Sequence, residues 1–328
     1  MEKVIIFSIF SFLFSLIGTK YLKEYLERKK VFDIPNERSS HTKPMPKGGG
    51  WIIVIFLMIL LLPPIHAYGR GFSEPHWTDS LLYIHLPITI LGLAILSWLD
   101  DIKNINPFIR LFFQFFIIFY LLTAGKLTND AITYLDVIMS SLVIVWFINI
   151  FNFMDGIDGI TPSVAITILA GYLIASTDIT SFDIYSIIFC CLGLLFWNWH
   201  PAKIFLGDVG SVILGFICIL FLITLAYDGQ WGWAISLPMY YILDTSITLI
   251  NRFIDGKKIW QAHNEHFYQK AVQSGMNHSQ VVKLIIALQI LIITTCYFIE
   301  NPYLVVFLAF LQCTGLIIYF SSKYKKST

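Results

Sequence analysis

Long apolar runs recur from one end of the chain to the other, and short polar segments separate them. Most runs approach the length of about 20 residues (range roughly 17 to 25) that an α-helix needs to cross a bilayer. The sixth to eighth runs are shorter, so they borrow flanking residues or one of them is re-entrant, and the count holds to about one. The pattern predicts eleven spans: Val4–Leu22, Gly50–Ile65, Leu81–Leu99, Pro107–Ala124, Leu135–Phe153, Val164–Ser176, Ile184–Trp197, Val212–Ala226, Trp233–Ile250, Val281–Ile299 and Tyr303–Phe320.

Composition agrees with this pattern. Of 328 residues, 57% are hydrophobic and only 13% are charged, whereas a soluble domain carries about 25% charged residues. We therefore expect an all-α, polytopic helical bundle that forms a single transmembrane domain over residues 1–328. The net charge of +1 gives no basic surface for a nucleic-acid partner. The five cysteines lie in apolar runs without zinc spacing, which is typical of small buried hydrophobic residues.

The distribution of Lys and Arg predicts the orientation, because cytoplasmic loops carry an excess of these residues. With eleven spans, the loops after odd-numbered spans and the C-terminal tail contain nearly all of the 22 Lys and Arg residues; Lys3, Arg70 and Lys126 are the exceptions. We expect the N-terminus outside and the C-terminus in the cytoplasm. Residues 251–280 then form the largest cytoplasmic loop, and every polar motif described below faces the cytoplasm.

A polar series interrupts the end of the fifth run. Asn149, Asn152, Asp155 and Asp158 recur at every third position, and glycines follow each of the two acids. Polar side chains at membrane depth are costly, so they pair, line a wet cavity or bind a charged ligand. Magnesium prefers oxygen ligands from one or two carboxylates together with water and substrate phosphates. The series therefore indicates a site for magnesium and a diphosphate.

Two further acidic motifs return to the same predicted membrane face. Asp100 and Asp101 end the third run and are followed by Lys103. Adjacent carboxylates repel one another unless a cation lies beside them, which favours a metal or phosphate role over helix capping with a solvated lysine partner. Asp208 lies between Gly207 and Gly210 at the start of the eighth run. It can cap that helix or bind a metal ion.

Two loops on this face supply hydrogen-bond donors. The loop after the first span contains Arg38, His41 and Lys47, which suit an anionic ligand, although positive-inside charge with turn residues explains them equally well. In the last large loop, His263 and His266 share a helix face, but no further zinc-spaced ligands accompany them. Donation to phosphate or sugar hydroxyls fits these histidines better, and solvated interfacial histidines are the alternative. Asp244, inside the ninth run, receives no assignment.

Taken in order, these motifs resemble those of the polyprenyl-phosphate N-acetylhexosamine-1-phosphate transferases, glycosyltransferase family 4, which includes the phospho-N-acetylmuramoyl-pentapeptide translocase. The resemblance covers nearly the whole chain. It is carried by Asp33-x-Pro35-Asn36-x-Arg38-x-x-His41, Gly48-Gly49, Asp100-Asp101, Asn149-x-x-Asn152-x-x-Asp155-Gly-x-Asp158-Gly, Asn198-x-x-Pro201-Ala202 and Gly207-Asp208-x-Gly210-Ser211.

The resemblance implies a reaction in the bacterial inner membrane with a cytoplasmic active site. Polyprenyl phosphate, undecaprenyl phosphate in bacteria, attacks the β-phosphorus of a UDP-N-acetylhexosamine, giving a polyprenyl-diphospho-sugar and UMP. The implied partners are these two substrates and membrane lipid, with no nucleic acid; the sequence leaves the oligomeric state open, with a homodimer as one candidate. The implied cofactor is Mg²⁺, with Mn²⁺ as a substitute.

The resemblance also implies roles for single residues. Asp208 becomes the first metal ligand, with Asp101 as a second. Asp100 and Asp101 position the lipid phosphate, with a role for Asp100 as base left open because that phosphate is already mostly dianionic at pH 7. The implied catalytic residues are Asp100, Asp101, Asp155, Asp158 and Asp208. The implied substrate-binding residues are Arg38, His41, Lys47, Lys103, Asn149, Asn152, Asn198, His263, His266, Tyr268 and Gln269.

The last large loop indicates the subgroup. Its pattern His263-x-x-His266-x-Tyr268-Gln269 resembles enzymes that start O-antigen in lipopolysaccharide biosynthesis from UDP-FucNAc or UDP-QuiNAc more than it resembles the translocase, which has a denser histidine cluster. Two alternatives remain open: a UDP-GlcNAc enzyme of the same family, and a flippase or transporter of polyprenol-linked glycans. A transporter should place its charges near the bilayer midplane and often contains two repeats. The acids here collect at helix ends on one face.

Overall fold

A computed structural model describes residues 2–35, 43–62, 80–126, 132–176, 182–261 and 263–327. Arg38 and His41 lie outside the described residues. The described residues are 79% helical with almost no strand. The all-α prediction is therefore confirmed.

The described residues form thirteen α-helices and two short strands. The helices are α1 (Glu2–Arg28), α2 (Trp51–Leu60), α3 (Ser80–Lys103), α4 (Pro107–Lys126), α5 (Tyr134–Met154), α6 (Ile160–Ala175), α7 (Phe182–Asn198), α8 (Gly207–Tyr227), α9 (Trp231–Ser236), α10 (Met239–Ile254), α11 (Phe267–Gln273), α12 (His278–Phe298) and α13 (Pro302–Ser327). The strands are β1 (Phe32–Asp33) and β2 (Met45–Pro46).

Seven of these helices are long and apolar enough to cross a membrane: α1, α3, α4, α5, α8, α12 and α13. Three shorter apolar helices, α2, α6 and α7, add to this set. The three short predicted runs do borrow flanking residues, since α6, α7 and α8 begin at Ile160, Phe182 and Gly207. A polytopic helical membrane protein is the architecture that these helices support.

The ninth predicted span, Trp233–Ile250, is wrong as a single helix. It is divided into α9 and α10, which are separated at Leu237 and Pro238. Proline lacks a backbone N–H and so cannot continue the helical hydrogen-bond ladder, and the break falls where the sequence places Pro238. The second helix, α10, buries a polar face that includes Asp244 and exposes Ile250, Phe253 and Ile254 on the other side.

Helix α8 lies at the centre of the bundle and packs against α3, α5, α6 and α9. Small residues permit this packing: a side chain at Gly215 would collide with Phe151 of α5. At the periphery, α1 packs along α7. Gly193 of α7 lets the two backbones approach, and the Trp197 indole N–H donates to the Leu16 carbonyl at 2.8 Å. The outer face of α1 exposes apolar side chains such as Ile6 and Phe10, as lipid contact requires.

The segment that leads into α2 is fixed against the start of α8. Strands β1 and β2 pair in antiparallel fashion, with Phe32 opposite Pro46. The backbone N–H groups of Gly48 and Gly49 then donate to the Phe205 carbonyl at 3.2 and 2.8 Å. Gly50 lies so close to Gly210 that a Cβ atom there would overlap the backbone of α8. This close approach places Lys47 beside the first turn of α8.

Candidate active site

A partly buried ion pair joins the segment before α2 to the end of α3. Lys47 Nζ lies 2.6 Å from Asp101 Oδ1, and the Asp208 backbone N–H donates to the same oxygen at 3.2 Å. Burial lowers the pKa of Lys47, but the charges of Asp208 and Asp101 outweigh burial and raise it, so the ammonium group keeps its proton. Among the described residues, the buried Asp101 Oδ2 atom has no hydrogen-bond partner.

Arg110 of α4 connects the remaining groups on this side. Its Nη1 atom lies 2.6 Å from Asp100 Oδ2 and 3.4 Å from Asp208 Oδ2. Its Nη2 donates to Asn149 Oδ1 at 3.3 Å, and Asn149 donates in turn to Gln114 Oε1 at 2.7 Å. The prediction did not include Arg110 or Gln114 in the site. Their sequence positions could have indicated this role, because Arg110 and Gln114 are four residues apart on one helix and Arg110 lies near the membrane face of the acidic motifs.

The two adjacent acids, Asp100 and Asp101, therefore differ in their surroundings. Asp100 accepts from Arg110 through one oxygen and from the Ile105 backbone N–H at 2.7 Å through the other. Each oxygen of Asp100 thus already accepts a hydrogen bond, an arrangement that fits a positioning role. Asp101 keeps one oxygen free. Neither acid lines the cavity described next. Asp101 contacts the cavity residues Lys47 and Asp208, and Asp100 is linked to Asp208 through Arg110.

A cavity of about 200 Å³ lies where the α5–α6 break, the α7–α8 loop and the start of α8 meet. In the part of the chain that the structure describes, the Nδ2 amide atom of Asn152 is buried without a hydrogen-bond partner. Seven predicted residues meet here, and Asp33 joins them. The polar side chains that line the cavity are Asp33, Lys47, Asn152, Asp155, Asp158, Asn198, Asp208 and Gln269.

The donor set around Asp155 fits a hard divalent cation. Burial, together with the negative charges of Asp208 and Asp101, raises the pKa of Asp155 to about 7, against the opposing effects of Thr161 and Lys47. Raised pKa values in a cleft mark carboxylates that gain from a nearby cation. The carboxylates of Asp155 and Asp208 and the unpartnered Asp101 oxygen are the hard oxygen donors that Mg²⁺ prefers.

Asp158 is held differently, by two histidines. The Asp158 Oδ2 atom lies 2.7 Å from His200 Nδ1 and 3.2 Å from His278 Nδ1, and it accepts from the Ala202 N–H at 3.2 Å. Burial raises the pKa of Asp158, but these hydrogen bonds outweigh burial and lower it. The three side chains could hold a metal ion, yet imidazole suits Zn²⁺ and related ions rather than Mg²⁺. Sequence reasoning missed both histidines as site residues.

Asn198 also has a local role. Its Oδ1 accepts from the Gly159 N–H at 3.1 Å, and its Nδ2 donates to the Ile204 carbonyl at 2.9 Å. Together with the contacts of Asp158, these bonds tie the α5–α6 break to the α7–α8 loop. The positive φ of Gly159, 77°, makes this turn suited to glycine.

The predicted residues of the last large loop separate into three groups. Gln269 lines the cavity, and the Tyr268 hydroxyl behind it donates to the Phe153 carbonyl at 3.2 Å. His266 is buried, with its Nδ1 atom 3.0 Å from Asp244 Oδ1. His263 stacks on His266 and lines a separate, open depression.

His263 and Lys103 are predicted site residues that lie away from the cavity. Burial, His266 and Arg252 lower the pKa of His263 to about 4, so its imidazole is neutral near pH 7. Lys103 is exposed at the end of α3 and does not line the cavity.

Comparison with known proteins agrees with these motifs. Residues 83–226 match the model of glycosyl transferase family 4, and this segment contains Asp100, Asp101, Asp155, Asp158 and Asp208. The chain is 27% identical to a probable undecaprenyl-phosphate N-acetylglucosaminyl 1-phosphate transferase of Bacillus subtilis, over 87% of this chain and 82% of the relative.

Two other relatives fall in the same range. An undecaprenyl-phosphate α-N-acetylglucosaminyl 1-phosphate transferase of Thermotoga maritima is 26% identical over 79% of each chain. A phospho-N-acetylmuramoyl-pentapeptide-transferase of Streptococcus gordonii is 23% identical over 82% of this chain and 88% of the relative.

The histidine contacts of Asp158 generate a stability prediction. His278→Ala removes one partner of a buried carboxylate, so the free energy of unfolding should fall by about 1 to 3 kcal/mol. Thermal unfolding of the detergent-solubilised protein measures the change. The control is Ser279→Ala, because Ser279 is the next residue along α12 and its hydroxyl donates to Asn277 instead. Equal unfolding temperatures for His278→Ala and the wild type would show that Asp158 needs no support from His278.

Proposed function

We infer that this chain is a member of glycosyl transferase family 4 that transfers an N-acetylhexosamine-1-phosphate from a UDP-sugar to a polyprenyl phosphate and releases UMP. The observation that carries this proposal is the convergence of separate sequence motifs on one polar cavity. Lys47, Asn152, Asp155, Asn198 and Asp208 come from four segments of the chain and line the same space. The relatives whose names describe transfer of a sugar 1-phosphate to a polyprenyl phosphate support the same reaction.

The reaction must bring two anions together. An oxygen of the polyprenyl phosphate forms a bond to the β-phosphorus, the bond from that phosphorus to the bridging oxygen breaks, and UMP leaves with that oxygen. A phosphate monoester is mostly dianionic at pH 7, since its second pKa is about 6. Abstraction of a proton is therefore not needed. The main task of the protein is to offset repulsion and to align the reacting groups.

The charged groups around Asp208 suit this task. Two cations provide fixed positive charge: Arg110 Nη1 lies 3.4 Å from Asp208 Oδ2, and Lys47 pairs with Asp101, whose Oδ1 also accepts from the Asp208 N–H. Asp208 and the unpartnered oxygen of Asp101 would hold Mg²⁺, with Mn²⁺ as a substitute. When bound, the ion supplies positive charge that stabilises the diphosphate and the leaving UMP. Asp100, held by Arg110, keeps that guanidinium directed at the site of the lipid phosphate.

The amide side chains of the cavity suit the nucleotide sugar. The buried Asn152 amide has a free donor atom, Nδ2, which can donate to a substrate oxygen. Gln269 also lines the cavity, and its side chain lies close to Gly156. Buried donors without partners are costly in a folded protein, so a ligand that supplies an acceptor gains affinity there.

Substitution of Asp208 in an assay for UMP release tests the proposed reaction. The purified protein with undecaprenyl phosphate, Mg²⁺ and UDP-N-acetylsugars should release UMP, and Asp208→Asn should lower kcat by about 100-fold or more, as expected for loss of a group that stabilises developing charge. The control is Asp228→Asn, because Asp228 follows the far end of α8 and is exposed. UMP release that survives EDTA, or that Asp208→Asn leaves unchanged, would overturn the metal-dependent mechanism. A flippase or transporter would release no UMP.

We further propose that the transferred sugar is a deoxy-N-acetylhexosamine. The loop pattern His263-x-x-His266-x-Tyr268-Gln269 favours a deoxy-N-acetylhexosamine and the start of O-antigen, whereas the named relatives favour GlcNAc as the competing candidate. A preference for the deoxy sugar would require an apolar pocket at the deoxy carbon, which disfavours the extra hydroxyl of GlcNAc by no more than about 100-fold, whereas a site built to bind that hydroxyl would reject the deoxy sugar strongly.

A panel of UDP-sugars separates these candidates. With equal concentrations of UDP-QuiNAc, UDP-FucNAc and UDP-GlcNAc, kcat/KM for one of the first two should exceed kcat/KM for UDP-GlcNAc by about tenfold or more. The measurement is UMP release by the wild-type protein. A preference for UDP-GlcNAc would replace the O-antigen proposal with the GlcNAc-transferase proposal and would leave the family reaction intact.

The orientation is also a proposal: the N-terminus lies outside the bacterial inner membrane, and the cavity opens to the cytoplasm, where nucleotide sugars are made. A homodimer stays one candidate for the oligomeric state. Alkaline phosphatase joined after Lys323 should be inactive, and the same reporter inserted between residues 67 and 80 should be active, since this enzyme works only outside the cytoplasm. A green fluorescent protein at each position provides the reciprocal control. Exchange of the two results would reverse the orientation.

A further inference from the structure

Asp244 is the most enclosed acid among the described residues. It lies on α10, its side chain is 0% exposed, and the sequence assigns it no role. It does not line the cavity that contains Asp208. A carboxylate in such a place carries a large desolvation cost unless its oxygens are fully hydrogen-bonded.

Donors surround both oxygens of this carboxylate. Oδ1 accepts from the Phe267 backbone N–H at 3.1 Å, lies 3.0 Å from His266 Nδ1, and accepts from the Thr248 hydroxyl at 3.3 Å. Oδ2 accepts from the Tyr268 backbone N–H at 3.2 Å and from the Tyr240 hydroxyl at 3.1 Å. Three of the five donors belong to the consecutive residues 266–268.

These three donors connect α10 to the first turn of α11. The first N–H groups of a helix have no partner within the helix and need one from elsewhere. At α11, the carboxylate of Asp244 satisfies two of them, although it lies more than twenty residues earlier in the chain. The Gln269 side chain then accepts from the His266 N–H at 3.2 Å, which completes the local arrangement.

The same turn forms part of the cavity wall. The Tyr268 hydroxyl donates to the Phe153 carbonyl at 3.2 Å, and Gln269 lines the cavity beside Gly156. A Cβ atom on Gly156 would collide with both Tyr268 and Gln269, so the wall is closely packed here. A shift of the 266–269 turn would therefore move Gln269 relative to Asn152 and Asp155.

We propose that Asp244 is a positioning residue that holds the 266–269 turn against the cavity and so sets the binding geometry for the nucleotide sugar. Asp244 acts through this turn and does not touch the substrate. The inference rests on the proposed function, because it assigns the cavity wall to a UDP-sugar. The cost of burying the charge is offset by five donors, and an asparagine cannot replace it, since an amide accepts through only one of its two terminal atoms.

The test compares two variants that alter this carboxylate in different ways. Asp244→Asn should raise KM for the UDP-sugar by about tenfold, the factor expected when a buried hydrogen-bond donor loses its acceptor, and should leave KM for the polyprenyl phosphate unchanged. The control is Tyr240→Phe, which removes a donor supplied by α10 itself and keeps the contacts to the turn. It should change KM for the UDP-sugar by less than about threefold.

A double mutant tests whether the effect passes through Gln269. If Asp244 acts by placing this side chain, Asp244→Asn combined with Gln269→Ala should raise KM by no more than the larger single effect, because residues that act in one chain are not additive. Fully additive effects, or equal increases in both KM values, would overturn the positioning role and would leave Asp244 with a purely structural one.

A readout without activity separates this proposal from the transferase reaction. Trypsin cleavage at Lys258 and Lys270, which flank the turn, should be faster in Asp244→Asn than in the wild type and Tyr240→Phe under native conditions. If the wild type releases no UMP with any UDP-sugar, the proposed function fails, while faster cleavage still supports the tie between α10 and the turn. Unchanged cleavage would overturn that tie, whatever the activity.

Discussion

The site depends on the compensation of buried negative charge at one end of a helical bundle. Several aspartates collect where α3 and α5 end and where α8 begins, Asp244 lies within α10, and each would be costly there without donors or cations. Lys47 offsets Asp101, Arg110 offsets Asp100, and two histidines support Asp158. The fold is arranged so that distant segments deliver these partners.

The aspartates differ in how many donors or cations offset their charge, and this difference indicates different roles. Asp158 and Asp244 accept hydrogen bonds from several donors each, which suits groups that hold the chain together. Asp101 keeps an unpartnered oxygen, and Asp155 has a pKa raised to about 7 by burial and by neighbouring acids. Acids that lack compensation gain most from an added cation, so the metal and the phosphates are expected on the side of Asp101, Asp155 and Asp208.

Much of the fold follows from the sequence, because the length of an apolar run determines whether a helix can cross a bilayer. The exception, at Pro238, arises from a missing backbone donor that hydropathy does not record. The acidic motifs could be recognised in the sequence because their acids and the neighbouring glycines lie within a few residues of one another. Partners from distant segments could not: Arg110 meets Asp208 across 98 positions, and Asp158 meets His278 across 120. Nearness in sequence can also mislead: Lys103 is only two residues from Asp101, but it is exposed and lies outside the cavity.

Asp244 shows why reaction and substrate choice can be encoded in different parts of this chain. The acids assigned to phosphate chemistry lie within residues 83–226, the segment that matches the family model, whereas the 266–269 turn and its support on α10 lie beyond it. On the proposed function, changes in that turn alter the wall that faces the sugar without moving Lys47, Arg110 or Asp208. Two of the donors to Asp244 are the backbone N–H groups of Phe267 and Tyr268, which any non-proline residue provides. This backbone part of the support can therefore stay constant while side chains such as Gln269 vary with the sugar.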